Sequence, residues 1–521
     1  MEWLIMEDLA VKKSKTIYWA SGIVSICGII FEVLFGALGS YILGDGVKQY
    51  TLTISLFLTG MGIGAYLSEK VMKNLILTFI WIEFGIALIG GFSSFTMFGI
   101  TAFSPSGTDA FYLYFVTLLI GGLTGIELPI LIRKANEIGE KLNRSTARVL
   151  FSDYAGGLIG GLLFVFLLRP QFGMVKSAFV VGCVNLAVAF TVLWLFRKEI
   201  KNFATHTTFG IIIAILLIAG VLFGEAMAFT FEQKLYKDPI VYMEQSAYQK
   251  IILTQDQGDT RLYLDGSLQF SSTDEYRYHE VLVHPTMAQA KSHGNVLILG
   301  GGDGIAAKEI LQYDDVKSIT LVDLDPAVTK LAKTNRQLVQ LNEGSLHNNK
   351  VDIIHKDAFQ YLKNTNTWYD VIFVDLPDPN NESLNKLYTK EFYSLIRNHL
   401  SPGGATMIQS TSPVFATKVY WTISKTIEST GLHTENLHVD VPSFGNWGFV
   451  MASRDEINIE DLSIGVETEF LTEDMLLSLT QFGKDEDRMI SNEKGEKFTL
   501  KPNTLIDPNL IQLYEHAWKN Y

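Results

Sequence analysis

Over the first 230 residues the apolar positions run together without a period, broken only by short polar breaks. The runs near 17–43, 49–67, 74–100, 110–132, 149–168, 177–196 and 207–229 make about seven stretches of bilayer-crossing length. The first follows Lys12, Lys13 and Lys15, is too long for a signal-peptide core and lacks a small-residue cleavage site, so it reads as a retained anchor. After Phe231 the pattern changes to short β-branched runs, helical periods and turn residues, as in an α/β unit outside the bilayer. Tyr248–Thr254 and Arg261–Ser271, with Asp265-Gly266 between apolar runs, predict a small antiparallel sheet. From Asn295, strands at 295–299, 318–323, 351–355, 370–375 and 404–409 alternate with helices at 305–312, 326–340, 356–363, 388–399 and 414–430. Such alternation predicts a parallel sheet with helices on both faces, closed here by an antiparallel hairpin over 437–452.

The expected organisation is therefore a multi-pass α-helical membrane domain (1–230), then a small β-domain with a substrate-binding segment (231–290). A Rossmann-like, methyltransferase-type α/β domain (291–453) and a polar extension (454–521) follow; the extension offers one helix, Thr472 to Leu479, and no readable chemistry. Mean hydropathy of +0.20 and a charged fraction of 19% exclude a wholly soluble chain. The part up to Thr230 has 16 basic and 14 acidic residues, the remainder 26 and 41, and so acidic a second part argues against nucleic acid and suits small cationic ligands. Cys27 and Cys183, both in apolar runs, exclude a disulfide framework or thiolate metal site.

Charge also bears on orientation. Lys12, Lys13, Lys15, Lys70, Lys73, Arg133, Lys134, Lys141, Arg144, Arg148, Arg197, Lys198 and Lys201 fall on one side of the spans, against Lys48, Arg169 and Lys176 on the other. That 13-to-3 bias places the N-terminus in the cytoplasm and, for seven full spans, everything after 230 outside. Within or beside the apolar runs lie Glu32, Glu83, Glu127, Asp153 and Glu225. They read as interhelical hydrogen-bonding groups of an anchor, with a cation path as the rival.

The strongest chemical signal is the strand Val296–Leu299 running into Gly300-Gly301-Gly302-Asp303-Gly304, a nucleoside-binding turn. Ile305 stands where a dinucleotide loop needs its last glycine, and Asp303 sets a carboxylate where a pyrophosphate would sit. NAD and nucleoside triphosphates are thereby disfavoured, and a cationic nucleoside such as a sulfonium is favoured. Asp323 ends the second strand, where an acid accepts ribose hydroxyls. Asp357-Ala358 ends the third, Asp375-Leu376-Pro377-Asp378-Pro379 the fourth, and Asp325 before Pro326 reads as a helix cap. Ligands of an open parallel sheet bind beyond the carboxyl ends of its strands, so Asp303, Asp323, Asp357 and Asp375 are expected in one cleft. No His or Glu completes a metal-ligand set, and no metal is expected.

The glycine turn, Tyr248-Gln249, Leu264-Asp265-Gly266-Ser267-Leu268-Gln269 with Asp274-Glu275-Tyr276-Arg277-Tyr278-His279-Glu280, and Asp375–Pro379 together resemble the spermidine synthase family of polyamine aminopropyltransferases. The likeness covers about 240–452, and the apolar first part resembles the family's membrane-attached bacterial members. It implies that Gln249, Gly301, Asp323, Asp357 and Ala358 hold decarboxylated S-adenosylmethionine, a co-substrate rather than a cofactor, and its thioether product. It implies that His279, Tyr278, Asp303, Asp378 and Gln269 bind the polyamine and that Asp375 is the general base. Putrescine is then the expected acceptor, although Val441 stands before Pro442-Ser443 where the soluble enzymes carry a tyrosine, which leaves the amine open.

The expected partners are these small molecules and the lipid bilayer, with a homo-oligomer left open. The expected place is the cell membrane with the catalytic domain in the cytoplasm, because the resemblance implies a cytoplasmic donor; this conflicts with the charge bias. Rival readings are an S-adenosylmethionine-dependent N-methyltransferase and a polyamine transporter or sensor. Asp303 would repel the carboxylate of a methyl donor, and a sensor has no need of Asp375.

Overall fold

The computed structural model describes residues 2–44, 46–105, 107–138, 141–488 and 500–518, with the side chains of residues 2–12 outside the description. The chain forms two compact units, Met1–Lys237 and Asp238–Tyr521. The division falls later than the change of pattern at 231 because the last apolar helix runs on to Gln233.

The first unit is helical: α1 (Glu2–Leu43), α2 (Gly46–Leu67), α3 (Leu75–Phe103), α4 (Thr108–Glu137), α5 (Leu142–Leu163), α6 (Arg169–Leu195) and α7 (Phe203–Gln233). Among the described residues, six helical stretches are long and apolar enough to cross a membrane, the fifth being Leu142–Leu195 with 54 residues. That stretch folds back on itself. Gly173 leaves helical geometry at φ 64° and ψ −170°. Ser177 donates to the Leu168 carbonyl at 3.1 Å, and Leu163 and Val180 line one groove against Ile26 and Ile30. A straight helix would hold 163 and 180 about 25 Å apart. The described residues of the unit therefore form seven segments threaded up and down, and the unit's two ends are distinct. Lys13, Lys134 and Glu199 meet at one end, while Tyr41 donates to Glu232 at the other, where the chain leaves.

Small residues set the helix spacing. A Cβ on Gly64 would stand 2.0 Å from the Gly122 carbonyl oxygen, and one on Gly125 2.1 Å from that of Met61, so α2 and α4 pack backbone to backbone. Gly156 and Gly160 do the same on α1, at 2.3 Å from Gly22 O and 2.6 Å from Ile26 O. Of the five acids, Glu83 and Glu127 are buried in the bundle, where Asn185 donates to Glu83, whereas Glu225 is on an exposed face. Gly125→Ala is expected to lower the stability of the detergent-solubilised protein by about 1–3 kcal/mol through overpacking. Gly62→Ala, where nothing lies within 4 Å, is expected to be neutral or stabilising; thermal denaturation of both variants checks the contrast.

The second unit carries two sheets. Strands β1 (Ile240–Gln245), β2 (Lys250–Asp256), β3 (Asp259–Leu264) and β4 (Ser267–Ser271) form an antiparallel meander, with Asp265 and Gly266 at positive φ in the β3–β4 turn. The larger sheet uses β5 (Asn295–Gly300), β6 (Ser318–Asp323), β7 (Val351–His355), β8 (Tyr369–Asp375), β9 (Leu400–Gln409), β10 (His433–Val441) and β11 (Gly445–Ser453). Its order is β10-β11-β9-β8-β5-β6-β7, parallel from β9 to β7 with the closing hairpin antiparallel. Central positions such as Val296–Leu299 and Val371–Val374 are fully buried because helices cover both faces. The order of the strands reverses at β5, which opens a crevice beyond Gly300 and its register partner Asp375.

The polar extension is stitched onto this unit. Buried Glu280 accepts the backbone N–H groups of Glu469, Phe470 and Leu471 at 2.6, 3.0 and 2.7 Å. The helix expected over 472–479 is a short one at Glu473–Leu476 followed by a 3-10 turn, and a further helix spans Leu510–Trp518.

Candidate active site

The glycine turn owes its residues to crowding. Gly300 sits at φ 87° with its Cβ position 2.0 Å from the Asp375 carbonyl oxygen, so only glycine fits there. Gly301, at φ 62°, donates its N–H to that carbonyl at 3.2 Å, and its Cβ position lies 3.3 Å from Asp375 Oδ2. A Cβ on Gly302 would lie 2.5 Å from Asp323 Oδ2. The turn thus brings the carboxylates ending β6 and β8 to its two sides. Asp303, in the turn before the next helix, accepts the Ile305 N–H at 2.9 Å and interacts electrostatically with Asp375 and Asp323. Asp357 caps Ala358–Asn364, pairs with Lys386 at 2.6 Å, and follows Lys356, whose N–H binds the Asp323 carbonyl at 3.0 Å.

Burial pushes the Asp303 carboxyl up to about 6, with His279 pulling it down and Asp375 pushing it up. Burial lifts Asp323 to about 6 as well, against the N–H groups of Asp325 and Gly302. His279 shows the opposite balance. Burial would depress it, yet the Glu275 carboxylate 2.8 Å from Nδ1, aided by Asp303 and Asp375, holds it up to about 9. An imidazolium therefore stands among the acids at neutral pH, and Glu275 continues the chain of charge to Lys308 at 3.2 Å.

Tyr278, buried against Phe449 with ring centres 4.9 Å apart, donates its hydroxyl to Asp375 Oδ1 at 2.7 Å. Burial, then Asp375, drives that phenol well above its ordinary range, so it stays a donor. Asp378 accepts from Thr411 at 2.7 Å, Gln409 at 3.3 Å and Tyr514 at 3.1 Å. Gln409 is itself fixed by Trp447 Nε1 at 3.1 Å and Tyr388 at 2.6 Å.

Of the residues expected from the sequence, Gly301, Tyr278, His279, Asp303, Asp323, Asp375 and Asp378 gather at the carboxyl ends of β5, β6 and β8. Gln249 sits beside them through Asp325, to which its amide donates at 3.1 Å, while Asp325 caps the helix from Pro326. Ala358 is buried beside Asp357. Gln269 lies on β4 with its amide on the Ser267 carbonyl, and among the described residues no hydrogen bond joins it to the carboxylates. Val441 is buried at the end of β10 opposite Gly445. Sequence reasoning missed Glu275, Gln409, Thr411 and Tyr514. The polar run Gln409-Ser410-Thr411-Ser412 at the carboxyl end of β9 was a usable signal, but nothing local marks Tyr514.

A profile of the spermine/spermidine synthase domain matches residues 275–461. The polyamine aminopropyltransferase of Oceanobacillus iheyensis is 72% identical over 99% of this chain and 100% of its own. The chain belongs to the polyamine aminopropyltransferase family. Its likeness extends through the helical unit, since the Leptospira interrogans polyamine aminopropyltransferase is 38% identical over 95% of this chain and 97% of its own. Polyamine aminopropyltransferase 1 of Streptomyces coelicolor is 38% identical over 95% of this chain and 93% of its own. A crystal structure of spermidine synthase with the transition state analogue AdoDATO has a TM-score of 0.44 and 25% identity, covering 47% of this chain and 87% of that one. The protein is accordingly a transferase of aminopropyl groups in polyamine biosynthesis.

Proposed function

We propose that the enzyme transfers the aminopropyl group of decarboxylated S-adenosylmethionine to putrescine, giving spermidine and 5'-methylthioadenosine. An amine with a solution pKa near 10 is protonated at neutral pH and cannot attack. Asp375 takes its proton, the nitrogen lone pair forms a bond to the methylene carbon on sulfur, and the breaking C–S bond returns its electrons to the sulfonium, leaving a neutral thioether. The observation carrying this reading is the Asp375 carboxylate held by Tyr278 at the lip of the glycine turn. Gln249, Gly301, Asp323, Asp357 and Ala358 hold the donor, with Asp323 on the ribose. His279, Tyr278, Asp303, Asp378 and Gln269 serve the amine. Neither a metal nor a resident cofactor has a part in the step.

The helical unit anchors the enzyme in the cell membrane with the second unit in the cytoplasm, where the donor is made. The purified full-length protein, given decarboxylated S-adenosylmethionine and a panel of diamines, is expected to add the mass of one aminopropyl group to putrescine and to release methylthioadenosine. Methyl transfer from S-adenosylmethionine, or binding without turnover, would overturn the reading.

A further inference from the structure

We infer that Tyr514, on the C-terminal helix Leu510–Trp518, is a positioning residue that orients Asp378 and thereby sets the preference for diamine acceptors; the inference rests on the amine-binding role of Asp378 proposed above. Its hydroxyl donates to Asp378 Oδ2 at 3.1 Å across 136 residues of sequence. Thr411 shares that oxygen at 2.7 Å and Gln409 reaches Oδ1 at 3.3 Å, so the carboxylate is held from the end of β9 on one side and from the extension on the other.

The helix is anchored by a dedicated set of hydrogen bonds. Asn503, fully buried, donates from its backbone to Thr426 at 2.9 Å and from its side chain to Asn385 at 3.0 Å and the Tyr388 carbonyl at 2.9 Å. Its Oδ1 accepts the N–H groups of Asn509 at 3.0 Å and Leu510 at 3.5 Å, which fixes the start of the helix. Asn385 and Tyr388 belong to the segment that leaves Asp378, and Tyr388 donates back to the carbonyls of Leu376 and Pro377 at 3.1 and 3.0 Å. The extension and the loop bearing Asp378 are therefore one hydrogen-bonded assembly. Burial pushes the Asp378 carboxyl up, and the donors Thr411, Gln409 and Tyr514 oppose that by stabilising its charge. A carboxylate whose two oxygens are held by three donors is aimed to meet the ammonium at the end of the diamine that does not attack.

The test compares Tyr514→Phe with Asp378→Asn in the full-length enzyme, using putrescine and n-butylamine, which lacks the second ammonium. Losing one hydrogen bond to a charged group is expected to raise the KM for putrescine about five- to thirtyfold in Tyr514→Phe. The value of kcat, the KM for the donor and activity on n-butylamine are expected to stay within about threefold. Asp378→Asn should raise the putrescine KM further. If Asp378→Asn does so while Tyr514→Phe leaves the putrescine-to-butylamine preference unchanged, the inference fails and the role of Asp378 stands. An unchanged putrescine KM in Asp378→Asn would remove that role and the inference with it. Equal losses on both amines in Tyr514→Phe, or loss of the fold by circular dichroism, would assign the phenol to structure alone and overturn the inference.

Discussion

Asp375→Asn is expected to lower kcat by about 10²–10⁴ while donor binding stays within tenfold. The substitution is nearly isosteric. The amide oxygen still accepts from Tyr278, and the backbone carbonyl that receives the Gly301 N–H is untouched, so the glycine turn keeps its shape. What disappears is the group able to accept a proton from the attacking ammonium. Tyr278 is no substitute, because burial and the neighbouring carboxylate keep its own proton in place. Single-turnover kinetics with bound donor reads the chemical step alone, and titration with methylthioadenosine reads the nucleoside contacts. A variant that turns over at near the normal rate would displace Asp375 from the base role. A variant that loses donor binding instead would make it a nucleoside ligand.

The residues of this site were legible to different degrees, and the differences have physical causes. A parallel sheet is written in alternating strand and helix periods, so β5 to β8 lie within a residue or so of their expected ranges. Asp375 and Asp323 followed from the rule that ligands gather where strands end. The helix expected over 326–340 is broken at Asn335, which leaves helical geometry and caps the next helix through the N–H groups of Gln337 and Leu338. Helical periodicity continues across such a break, so only the Asn hints at it. Strand β9 begins at Leu400, earlier than expected, because Gly403 at φ 78° carries the chain through a Pro-Gly-Gly segment that resembles a turn. The extension was opaque for another reason. Tyr514 acts through a contact closed by the whole fold, and an isolated tyrosine on a short helix has no periodic or motif signature. The buried acid Glu280, which holds that extension through three backbone N–H groups, is a helix residue whose partners lie about 190 positions away.

An introduced cysteine at Asn349, in the exposed turn before β7, is expected to resist an impermeant maleimide in intact cells and to react after permeabilisation. A second one at Asn143, at the start of α5, is expected to react in intact cells. The pair tests two propositions at once. Seven crossing segments require the two sites to lie on opposite sides, and the fold-back at Gly173 makes the count odd. Equal labelling would mean that Leu142–Leu195 does not cross twice. The sense of the labelling then sets substrate supply against charge. The 13-to-3 excess of Lys and Arg favours the Asn143 side as cytoplasmic. Part of that charge is engaged within the unit, however. Lys13 and Lys134 pair with Glu199 at 2.5 and 3.1 Å, and Arg133 donates to the Val71 and Ser68 carbonyls at 2.8 and 2.7 Å. A catalytic unit separated from a cytoplasmic donor has no substrate, whereas a misplaced charge bias costs only insertion efficiency. Labelling of Asn349→Cys but not Asn143→Cys in intact cells would reverse the proposed orientation and require a source of the donor outside the cytoplasm. The native thiols do not confuse the readout, since Cys27 is buried and Cys183 lies within α6.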